Sequence, residues 1–238
     1  MSGRSVLVTG ASGYLGSQVI ASLAIQRAEG KIDAVLAMDV RDVPADKRLA
    51  GVIYATADIR ADGLESLLSE HKITTVVHLA SIVTPGKNSD REFEYSVDVG
   101  GTQKVLDACV AAKVEQLIVS SSGAAYGYHA DNAPWLSETD PIRGNQVFAY
   151  SWHKRLVEEM LAKARIEHPQ LKQTIFRIGT ILGKTVRNQI TDLFDKPRLI
   201  GIKGSDSPFV FIWDQDVVGA ILHATDTGKA GIYNVAGD

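Results

Sequence analysis

The sequence is poor in cysteine and has no long apolar run. Its one cysteine, Cys109, lies in a segment with helical spacing of apolar residues, so no disulfide can form within the chain and the thiol is expected to pack in the core. No stretch reaches the roughly 18 apolar residues of a membrane span, and the opening MSGRS lacks the apolar region of a signal peptide. These absences predict a cytoplasmic protein with no membrane partner.

An excess of charge of one sign is also missing. The 238 residues include 25 Lys and Arg against 28 Asp and Glu, a formal net charge of −3, and the basic residues are scattered. This distribution argues against a nucleic-acid partner and favours a small-molecule partner. The six histidines have no spacing typical of metal ligands, so we expect no metal site.

Short apolar runs alternate with segments of helical periodicity along most of the chain. We predict strands at 5–9, 34–38, 52–55, 75–79, 116–120, 173–177, 209–213 and 231–235. We predict helices at 14–27, 63–71, 90–113, 148–167, 188–194 and 214–225. Strands that alternate with helices form parallel sheets covered on both faces, so the sequence predicts an α/β fold with a doubly wound parallel sheet of the Rossmann type.

Three glycines at three-residue spacing follow the first predicted strand. In VLVTGASGYLG they are Gly10, Gly13 and Gly16. A nucleotide pyrophosphate binds backbone N–H groups and the positive end of a helix at close range, which side chains would obstruct. We therefore expect Gly10 to make the tight turn, Gly13 to admit the phosphates and Gly16 to let the helix pack closely. A glycine-rich turn without a ligand is the alternative interpretation.

An acidic residue follows the second predicted strand. Asp39 comes 23 residues after Gly16, where a carboxylate can accept hydrogen bonds from both adenosine ribose hydroxyls. A negative charge at that place repels a 2′-phosphate, so we expect the cofactor to be NAD, with NADP disfavoured. Arg41, two residues further on, would oppose that preference.

Further motifs extend the pattern over almost the whole chain. Together with TGASGYLG, the pair Asp58-Ile59, HLAS at 78–81, SSSGAAYG at 120–127 and YSWHK at 150–154 resemble the extended short-chain dehydrogenases/reductases, the branch that contains nucleotide-sugar epimerases and dehydratases. The resemblance implies that the cofactor NAD contacts the following residues: Gly10, Ser12, Gly13, Tyr14, Leu15, Gly16, Asp39, Arg41, Asp58, Ile59, Leu79, Ala80, Ser81, Tyr150 and Lys154.

The same resemblance divides the chain after residue 178. Residues 1–178 are expected to form the dinucleotide-binding Rossmann domain. Residues 179–238 are expected to hold part of a substrate lobe, together with a strand and a helix that return to the first domain. Extended members of the family usually continue well beyond the strand that reads GIYNV here. We therefore expect this C-terminal substrate lobe to be small and incomplete.

The YxxxK motif places a phenol and an ammonium on one face of a helix. Tyr150 and Lys154 are four residues apart, so Lys154 can favour the ionised form of a phenol, whose ordinary pKa is about 10. The resemblance implies three catalytic residues. Tyr150 would be the general base in the oxidising direction, Lys154 would assist it and hold the nicotinamide ribose, and Ser122 would hydrogen-bond the substrate oxygen. We expect Ser120 and Ser121 to cap a turn.

Two positions depart from the family's pattern. Asp98 stands where the family commonly has Asn, and a buried carboxylate there needs hydrogen-bond donors. The stretch RIGTILG lacks the family's central Asn, and its Arg177 is either an ion-pair partner or a ligand contact. In the flanking motifs, His153 is expected to point away from the face of Tyr150, and Asp216 is expected to cap a helix.

The resemblance implies an NAD-dependent epimerase, dehydratase or oxidoreductase that transfers hydride at a secondary alcohol or ketone, with a nucleotide sugar as substrate. Lys184, Arg187 and Lys203 are candidates for binding the second pyrophosphate of such a substrate. One alternative is a hydroxysteroid- or ketone-type reductase of the same fold. Another is a non-catalytic, dinucleotide-binding regulatory module. The resemblance also implies a homodimer through the helices at 90–113 and 148–167.

Overall fold

The computed structural model describes residues 3–84, 90–187, 191–194, 196–198, 201, 203–204 and 209–237. Its strands are β1 (Ser5–Thr9), β2 (Ala34–Asp39), β3 (Val52–Thr56), β4 (Thr75–His78), β5 (Gln116–Ser122), β6 (Lys172–Ile178), β7 (Thr180–Leu182), β8 (Phe211–Trp213) and β9 (Gly231–Val235). The main sheet has the order β3-β2-β1-β4-β5-β6-β9, and every neighbouring pair in it is parallel. The strands β7 and β8 form a separate parallel pair.

Helices cover both faces of the main sheet. They are α1 (Tyr14–Ala28), α2 (Leu64–Glu70), α3 (Arg91–Tyr95), α4 (Thr102–Ala111), α5 (Ala149–Glu167), α6 (Thr191–Phe194) and α7 (Asp214–Thr227). On one face, α1 and α7 contribute Leu23 and Ile221 to the core. On the other face, α2, α4 and α5 contribute Leu68, Cys109 and Leu161. The predicted doubly wound fold of the Rossmann type is confirmed.

The strand β1 shows why the central strands read as unbroken apolar runs. All five of its residues are buried. Val6 and Val8 point to the core shared with α1 and α7, and Leu7 points to the opposite core, as the two-residue period of a strand requires. The strand order reverses direction between β1 and β4. In such sheets, ligands bind at the carboxyl ends of the strands beside that reversal.

The segment predicted as one helix at 90–113 is divided into three parts. The helix α3 is followed by a π-helical segment, Ser96–Gly101, and then by α4. Glycine is a weak helix former, and a Cβ on Gly101 would lie 2.4 Å from Cδ1 of Ile59, so the Ile59 side chain packs closely against the segment at this point. The predicted helical segment is therefore present from Arg91 to Ala111, and the difference from the prediction is the π-helical part, which apolar periodicity does not reveal.

In the C-terminal part the structure adds one strand, begins another later than predicted and extends α7 to Thr227. The strand β7 was not predicted, because three residues are too few to show a two-residue alternation. The strand β8 begins two residues later than expected, at Phe211. The predicted helix at 188–194 begins at residues that lie outside the described part of the chain, and α6 is its described portion. No helix among the described residues is both long and apolar enough to cross a membrane.

A buried ion pair joins the strand β6 to α5. Arg177 of β6 donates to both carboxylate oxygens of Glu158 at 2.7 to 3.1 Å, and neither side chain is more than 4% exposed. Ser121 donates to the same carboxylate at 2.5 Å, and Arg177 also donates to the Tyr126 hydroxyl at 2.8 Å. Of the two interpretations left open for Arg177, the structure shows the ion pair.

This pair leads to a prediction for stability. The substitution Glu158→Gln leaves the buried guanidinium without its counter-charge, so we expect the free energy of unfolding to fall by about 3 kcal/mol. The next residue supplies a matched control, because Glu159 pairs with Arg155 on the exposed side of the same helix. Glu159→Gln should change the free energy by less than about 1 kcal/mol. Urea unfolding followed by circular dichroism measures both, and equal losses would contradict the prediction.

Candidate active site

The residues predicted to form the site lie along the carboxyl edge of the main sheet. The glycine turn follows β1, Asp39 ends β2, Asp58 and Ile59 follow β3, and residues 79–81 follow β4. Ser122 ends β5, and α5 carries Tyr150 and Lys154. Because all these strands are parallel, their carboxyl ends share one edge of the sheet. The structure therefore brings segments from five strand ends and one helix to the same side of the molecule.

The glycine turn has room for backbone only. Gly10 has a left-handed φ of +69°, and a Cβ on it would lie 2.7 Å from the backbone nitrogen of Ala80. A Cβ on Gly16 would lie 2.1 Å from the carbonyl oxygen of Gly10. Gly13 is the N-cap of α1, and no side chain caps the first turn of that helix. Tyr14 and Leu15 begin that turn, so its N–H groups can meet an anionic ligand.

Asp39 is held in place at the end of β2. Its carboxylate accepts hydrogen bonds from the Ser12 N–H at 3.0 Å, from the Arg41 N–H at 3.0 Å and from Arg41 Nε at 3.2 Å. Burial alone would raise the pKa of Asp39, but these bonds outweigh it and lower the pKa below its ordinary value. Asp39 is therefore an ionised carboxylate beside the glycine turn, and Arg41 offsets part of its charge.

Asp58 and Ile59 lie next to the π-helical segment. Asp58 accepts hydrogen bonds from the backbone and guanidinium of Arg60, with the shortest at 2.6 Å, and these bonds lower its pKa. The Arg60 guanidinium also lies 5.0 Å from the centre of the Phe93 ring. Ile59 is buried against Gly101. The Asp58-Ile59 motif is thus in contact with the π-helical segment, although the two lie far apart in the sequence.

A chain of hydrogen bonds through His78 fixes the turn after β4. The Thr102 hydroxyl donates to the carbonyl oxygen of Asp98 at 2.5 Å, so it accepts from His78 Nε2 at 3.0 Å. His78 Nδ1 then accepts from the Thr9 hydroxyl at 2.7 Å, and Thr9 Oγ1 accepts the Ala80 N–H at 3.4 Å. These partners assign a neutral imidazole with its proton on Nε2. The chain ties β1, β4 and the π-helical segment together.

Lys154 is buried beside Tyr150. Its ammonium donates to the carbonyl oxygen of Ser120 at 2.9 Å and lies 5.5 Å from the centre of the Tyr150 ring. Ser151, between them in the sequence, donates to the carbonyl oxygen of Ala124 at 2.6 Å. That bond attaches the start of α5 to the 3₁₀ turn Gly123–Tyr126, which directly follows β5. The serine motif and the YxxxK motif are therefore in direct contact.

The three consecutive serines have different partners. Ser122 Oγ accepts the Ala124 N–H at 3.1 Å and caps the 3₁₀ turn, which leaves its own hydroxyl proton available for donation. Ser121 donates to Glu158, and Ser120 donates to the carbonyl oxygen of His78 at 3.3 Å. The expectation that Ser120 and Ser121 cap a turn is wrong, because these hydroxyls bond to a buried carboxylate and to the neighbouring strand.

Asp98 and His153 form a buried pair. Oδ2 of Asp98 lies 3.1 Å from His153 Nδ1, and Oδ1 accepts from the Ser81 hydroxyl at 3.0 Å and from the Ile82 N–H at 2.8 Å. Burial alone would raise the pKa of Asp98, but the His153 bond, the charge of Lys154 and the other two donors lower it. The expected donors for Asp98 are thus present. Sequence reasoning did not find the partner, because the two residues are 55 positions apart.

A second contact that the sequence did not predict lies on the other side of the glycine turn. The Tyr14 hydroxyl donates to Oδ2 of Asp214 at 2.6 Å. A Cβ on Gly183 would lie 2.2 Å from the Tyr14 hydroxyl oxygen, so the end of β7 meets the starts of α1 and α7 here. The expectation that Asp216 caps α7 is wrong. Trp213 is the N-cap and makes no side-chain cap bond, and Asp216 lies in the first turn.

Around Tyr150 the surface is aromatic. The ring centres of Tyr128 and Phe148 are 6.0 Å apart, and those of Phe148 and Tyr150 are 6.1 Å apart. The cations proposed for a second pyrophosphate, Lys184, Arg187 and Lys203, are all exposed. Within the described residues, no group of three or more His, Cys, Asp or Glu side chains is arranged to hold a metal ion.

The strand order and the glycine turn at its reversal point define a Rossmann-type α/β protein. The model of the NAD-dependent epimerase/dehydratase family matches residues 6–236. The chain belongs to this family, and the resemblance to the extended short-chain dehydrogenases/reductases is confirmed.

Individual relatives support the same placement. An uncharacterised protein of Mycobacterium tuberculosis is 25% identical over 99% of this chain, and the chain spans 62% of that relative's length. A UDP-glucose 4-epimerase of Yersinia pestis is 32% identical over 75% of this chain and 53% of its own.

Solved structures share the fold. The UDP-glucose 4-epimerase of Thermus thermophilus, in complex with NAD, has a TM-score of 0.78 at 24% identity, covering 98% of this chain and 78% of that one. MoeE5, in complex with UDP-glucuronic acid and NAD, has a TM-score of 0.76 at 27% identity, covering 98% and 76%.

The hydrogen-bond chain through His78 leads to a prediction about pH. Burial, followed by the charge of Lys154, lowers the pKa of His78 to about 3, whereas an unfolded histidine has a pKa near 6.5. Between these values the unfolded state binds the extra proton, so stability that is full above pH 6.5 is lost as the pH falls. We expect a loss of about 2 kcal/mol between pH 7 and 5.

The variant His78→Gln should remove that part of the pH dependence, because it has no imidazole to titrate in either state. His223 is exposed and supplies the control, so His223→Gln should keep the wild-type slope. Urea unfolding at pH 7, 6 and 5 measures the three slopes. An unchanged slope in His78→Gln would show that the titration lies elsewhere.

Proposed function

We propose that the chain binds NAD along the carboxyl edge of its main sheet and transfers hydride at a secondary alcohol or ketone of a nucleotide sugar. The observation that carries this proposal is the buried Lys154 ammonium, which the carbonyl oxygen of Ser120 holds beside Tyr150. A buried cation next to a phenol is a feature that the fold alone does not require.

The residues at this edge fit a dinucleotide. The positions of Gly10 and Gly16 exclude a Cβ, and the first turn of α1 has no side-chain cap to compete with a phosphate. The ionised carboxylate of Asp39 lies beside the same turn and suits the hydroxyls of the adenosine ribose. These three features support NAD as the cofactor. The solved structures of MoeE5 and of the Thermus thermophilus epimerase are complexes with NAD, which supports it further.

Residues of the chain itself accept the hydroxyl proton of the substrate and stabilise the charge that develops on the substrate oxygen. NAD, when bound, supplies the acceptor and donor of hydride. In the oxidising direction Tyr150 acts as a phenolate, which the Lys154 ammonium stabilises, and it becomes a neutral phenol when it takes the hydroxyl proton of the substrate. The Ser122 hydroxyl donates a hydrogen bond to the substrate oxygen on which charge changes. Because its Oγ already accepts the Ala124 N–H, that hydroxyl is held in a fixed place.

The nucleotide sugar is supported by the relatives. Several are UDP-glucose 4-epimerases, and MoeE5 binds UDP-glucuronic acid. A second substrate class has one observation in its favour. The rings of Tyr128 and Phe148 form a row with Tyr150, the proposed base. This aromatic surface suits an apolar hydroxyl compound and a reductase of the same fold.

The first experiment is titration calorimetry with NAD, NADH, NADP and NADPH, after a check for cofactor retained during purification. Binding of NAD or NADH supports screening UDP-glucose, UDP-glucuronic acid and apolar secondary alcohols for hydride transfer. Turnover of a UDP-sugar favours the first substrate class, and turnover of an apolar alcohol alone favours the second. No binding of any dinucleotide would overturn the proposal for this chain.

We predict that Asp39→Ala weakens NAD binding by about 10- to 100-fold, because the ribose hydroxyls lose a charged acceptor. NADP binding should change far less, since the substitution also removes the repulsion of its 2′-phosphate. The exposed Asp62 pairs with Lys104 and supplies a control of equal charge change. Calorimetry with each variant measures the effect. Equal losses for NAD and NADP would contradict the ribose assignment.

We predict that Tyr150→Phe lowers the turnover number by about 10²- to 10⁴-fold, because the ring remains and the proton acceptor is lost. NADH affinity should stay within about threefold, since one hydroxyl contributes little to a large ligand. Tyr233 on β9 is the control, and Tyr233→Phe should leave both quantities unchanged. Wild-type turnover in Tyr150→Phe would remove this residue from the mechanism.

A further inference from the structure

Three parts of the site meet at the Asp98 carboxylate. Asp98 belongs to the π-helical segment, and its Oδ1 binds the hydroxyl of Ser81 and the N–H of Ile82, directly after the turn that follows β4. Its Oδ2 binds His153 on α5, the helix that carries Tyr150 and Lys154. A π-helical turn widens the helix at this point and frequently marks a functional site.

His153 is itself held on two sides. Its side chain is 4% exposed, and its ring lies nearly perpendicular to the Tyr95 ring, with ring centres 5.7 Å apart. An ionised carboxylate only accepts hydrogen bonds, so Nδ1 of His153 must carry a proton. The imidazole thus donates to Oδ2 of Asp98 and leaves Oδ1 to the two donors of the loop.

We propose that Asp98 and His153 are a positioning pair, in which His153 orients the carboxylate that fixes residues 81–82 against the helix of Tyr150 and Lys154. The role of this pair in catalysis rests on the proposed function, in which residues 81–82 border the nicotinamide. The bonds themselves do not depend on that function. Asp98 and His153 touch the reaction only through the segments they hold.

The geometry makes the two residues interdependent. Asp98, Ser81 and Lys154 line one small cavity of about 10 Å³, room for about one water molecule. Without the His153 proton donor, Oδ2 would be a buried and unpaired charge, and the carboxylate would turn towards that cavity and towards Lys154. Oδ1 would then leave the Ile82 N–H. The loop would lose its bond to the π-helical segment while the rest of the fold kept its contacts.

The test uses two substitutions at one position. His153→Leu removes the proton donor and keeps a buried apolar side chain. His153→Asn keeps an N–H group at the place of Nδ1 and so restores the bond to Asp98. A neighbouring control is Trp152→Leu, because the Trp152 ring packs against the Arg155 guanidinium, on α5 itself. The full chain is used throughout.

The main readout is amide hydrogen exchange measured by NMR, which needs no cofactor. We expect the Ile82 amide to exchange at least about tenfold faster in His153→Leu, while His153→Asn and Trp152→Leu stay within about threefold of wild type. The Val8 amide in β1 should keep its rate in all variants. Equal acceleration at Val8 and Ile82, or failure of His153→Asn to restore protection, would reduce the pair to a general stability role and overturn the proposal.

A measurement on the unaltered protein guards against variants that do not fold. The ¹⁵N signals of the His153 ring, assigned through bonds from the backbone signals of the same residue, report which ring nitrogen carries the proton. We expect a proton on Nδ1 of His153 at pH 7. An unprotonated Nδ1 would exclude donation to Asp98 and overturn the pair.

A fluorescence titration with NADH separates this proposal from the proposed function. We expect His153→Leu to weaken NADH binding by about tenfold and His153→Asn to restore it within about threefold. Wild-type protein that does not bind NADH would overturn the proposed function, while the exchange rates would still decide on the pair. A third result is that His153→Leu binds NADH as tightly as wild type although its Ile82 amide exchanges faster. This result would show that residues 81–82 do not border the cofactor.

Discussion

The site depends on the close approach of two backbone turns, the one after β1 and the one after β4. The backbone of Gly10 lies against that of Ala80 so closely that no Cβ fits between them. The left-handed φ of Gly10 turns the chain sharply enough for α1 to begin at Tyr14, four residues later. The first turn of α1 therefore faces the same edge of the sheet as residues 79–81. One surface can thus bind both the phosphates and a ring of the proposed dinucleotide.

Buried polar groups hold this arrangement because each has a partner. His78 bridges Thr9 and Thr102 as a neutral imidazole, with one hydrogen bond at each ring nitrogen. Farther along the sheet, the Arg177 guanidinium and the Glu158 carboxylate are satisfied only when both are charged. An unpaired member of either set would carry the full desolvation penalty in the core. The same bonds therefore specify where β4, β6 and α5 lie relative to one another.

The features that the sequence predicted are those in which neighbouring residues act together. The glycine turn, the position of Asp39 after β2 and the Tyr150–Lys154 spacing all reside within a few residues, so local pattern and the strand–helix alternation suffice to place them. The fold followed from the same alternation. The helix ends, the π-helical segment and the three-residue β7 were not predicted accurately, because short elements and a change of helix type leave little trace in the apolar periodicity.

The contacts that escaped prediction join residues far apart in the chain. Asp98 and His153 are separated by 55 positions, and Tyr14 and Asp214 by 200, so no spacing rule relates them. The sequence did indicate that a buried carboxylate at Asp98 requires donors, but their identity depends on contacts between segments that are distant in the chain. Ser122 illustrates the same limit, since its capping bond depends on the 3₁₀ turn that the structure places after β5.

The charges at the centre of the site constrain one another. Lys154 is buried, so its positive charge disfavours a second cation nearby, and it contributes to the low pKa of His78. The same charge favours ionised Asp98. The carboxylate in turn balances Lys154 in a place where an amide would supply no charge. Lys154 and Asp98 act on His78 in opposite directions, and burial together with the Lys154 charge outweighs the Asp98 charge, so His78 stays neutral beside the anionic Asp98.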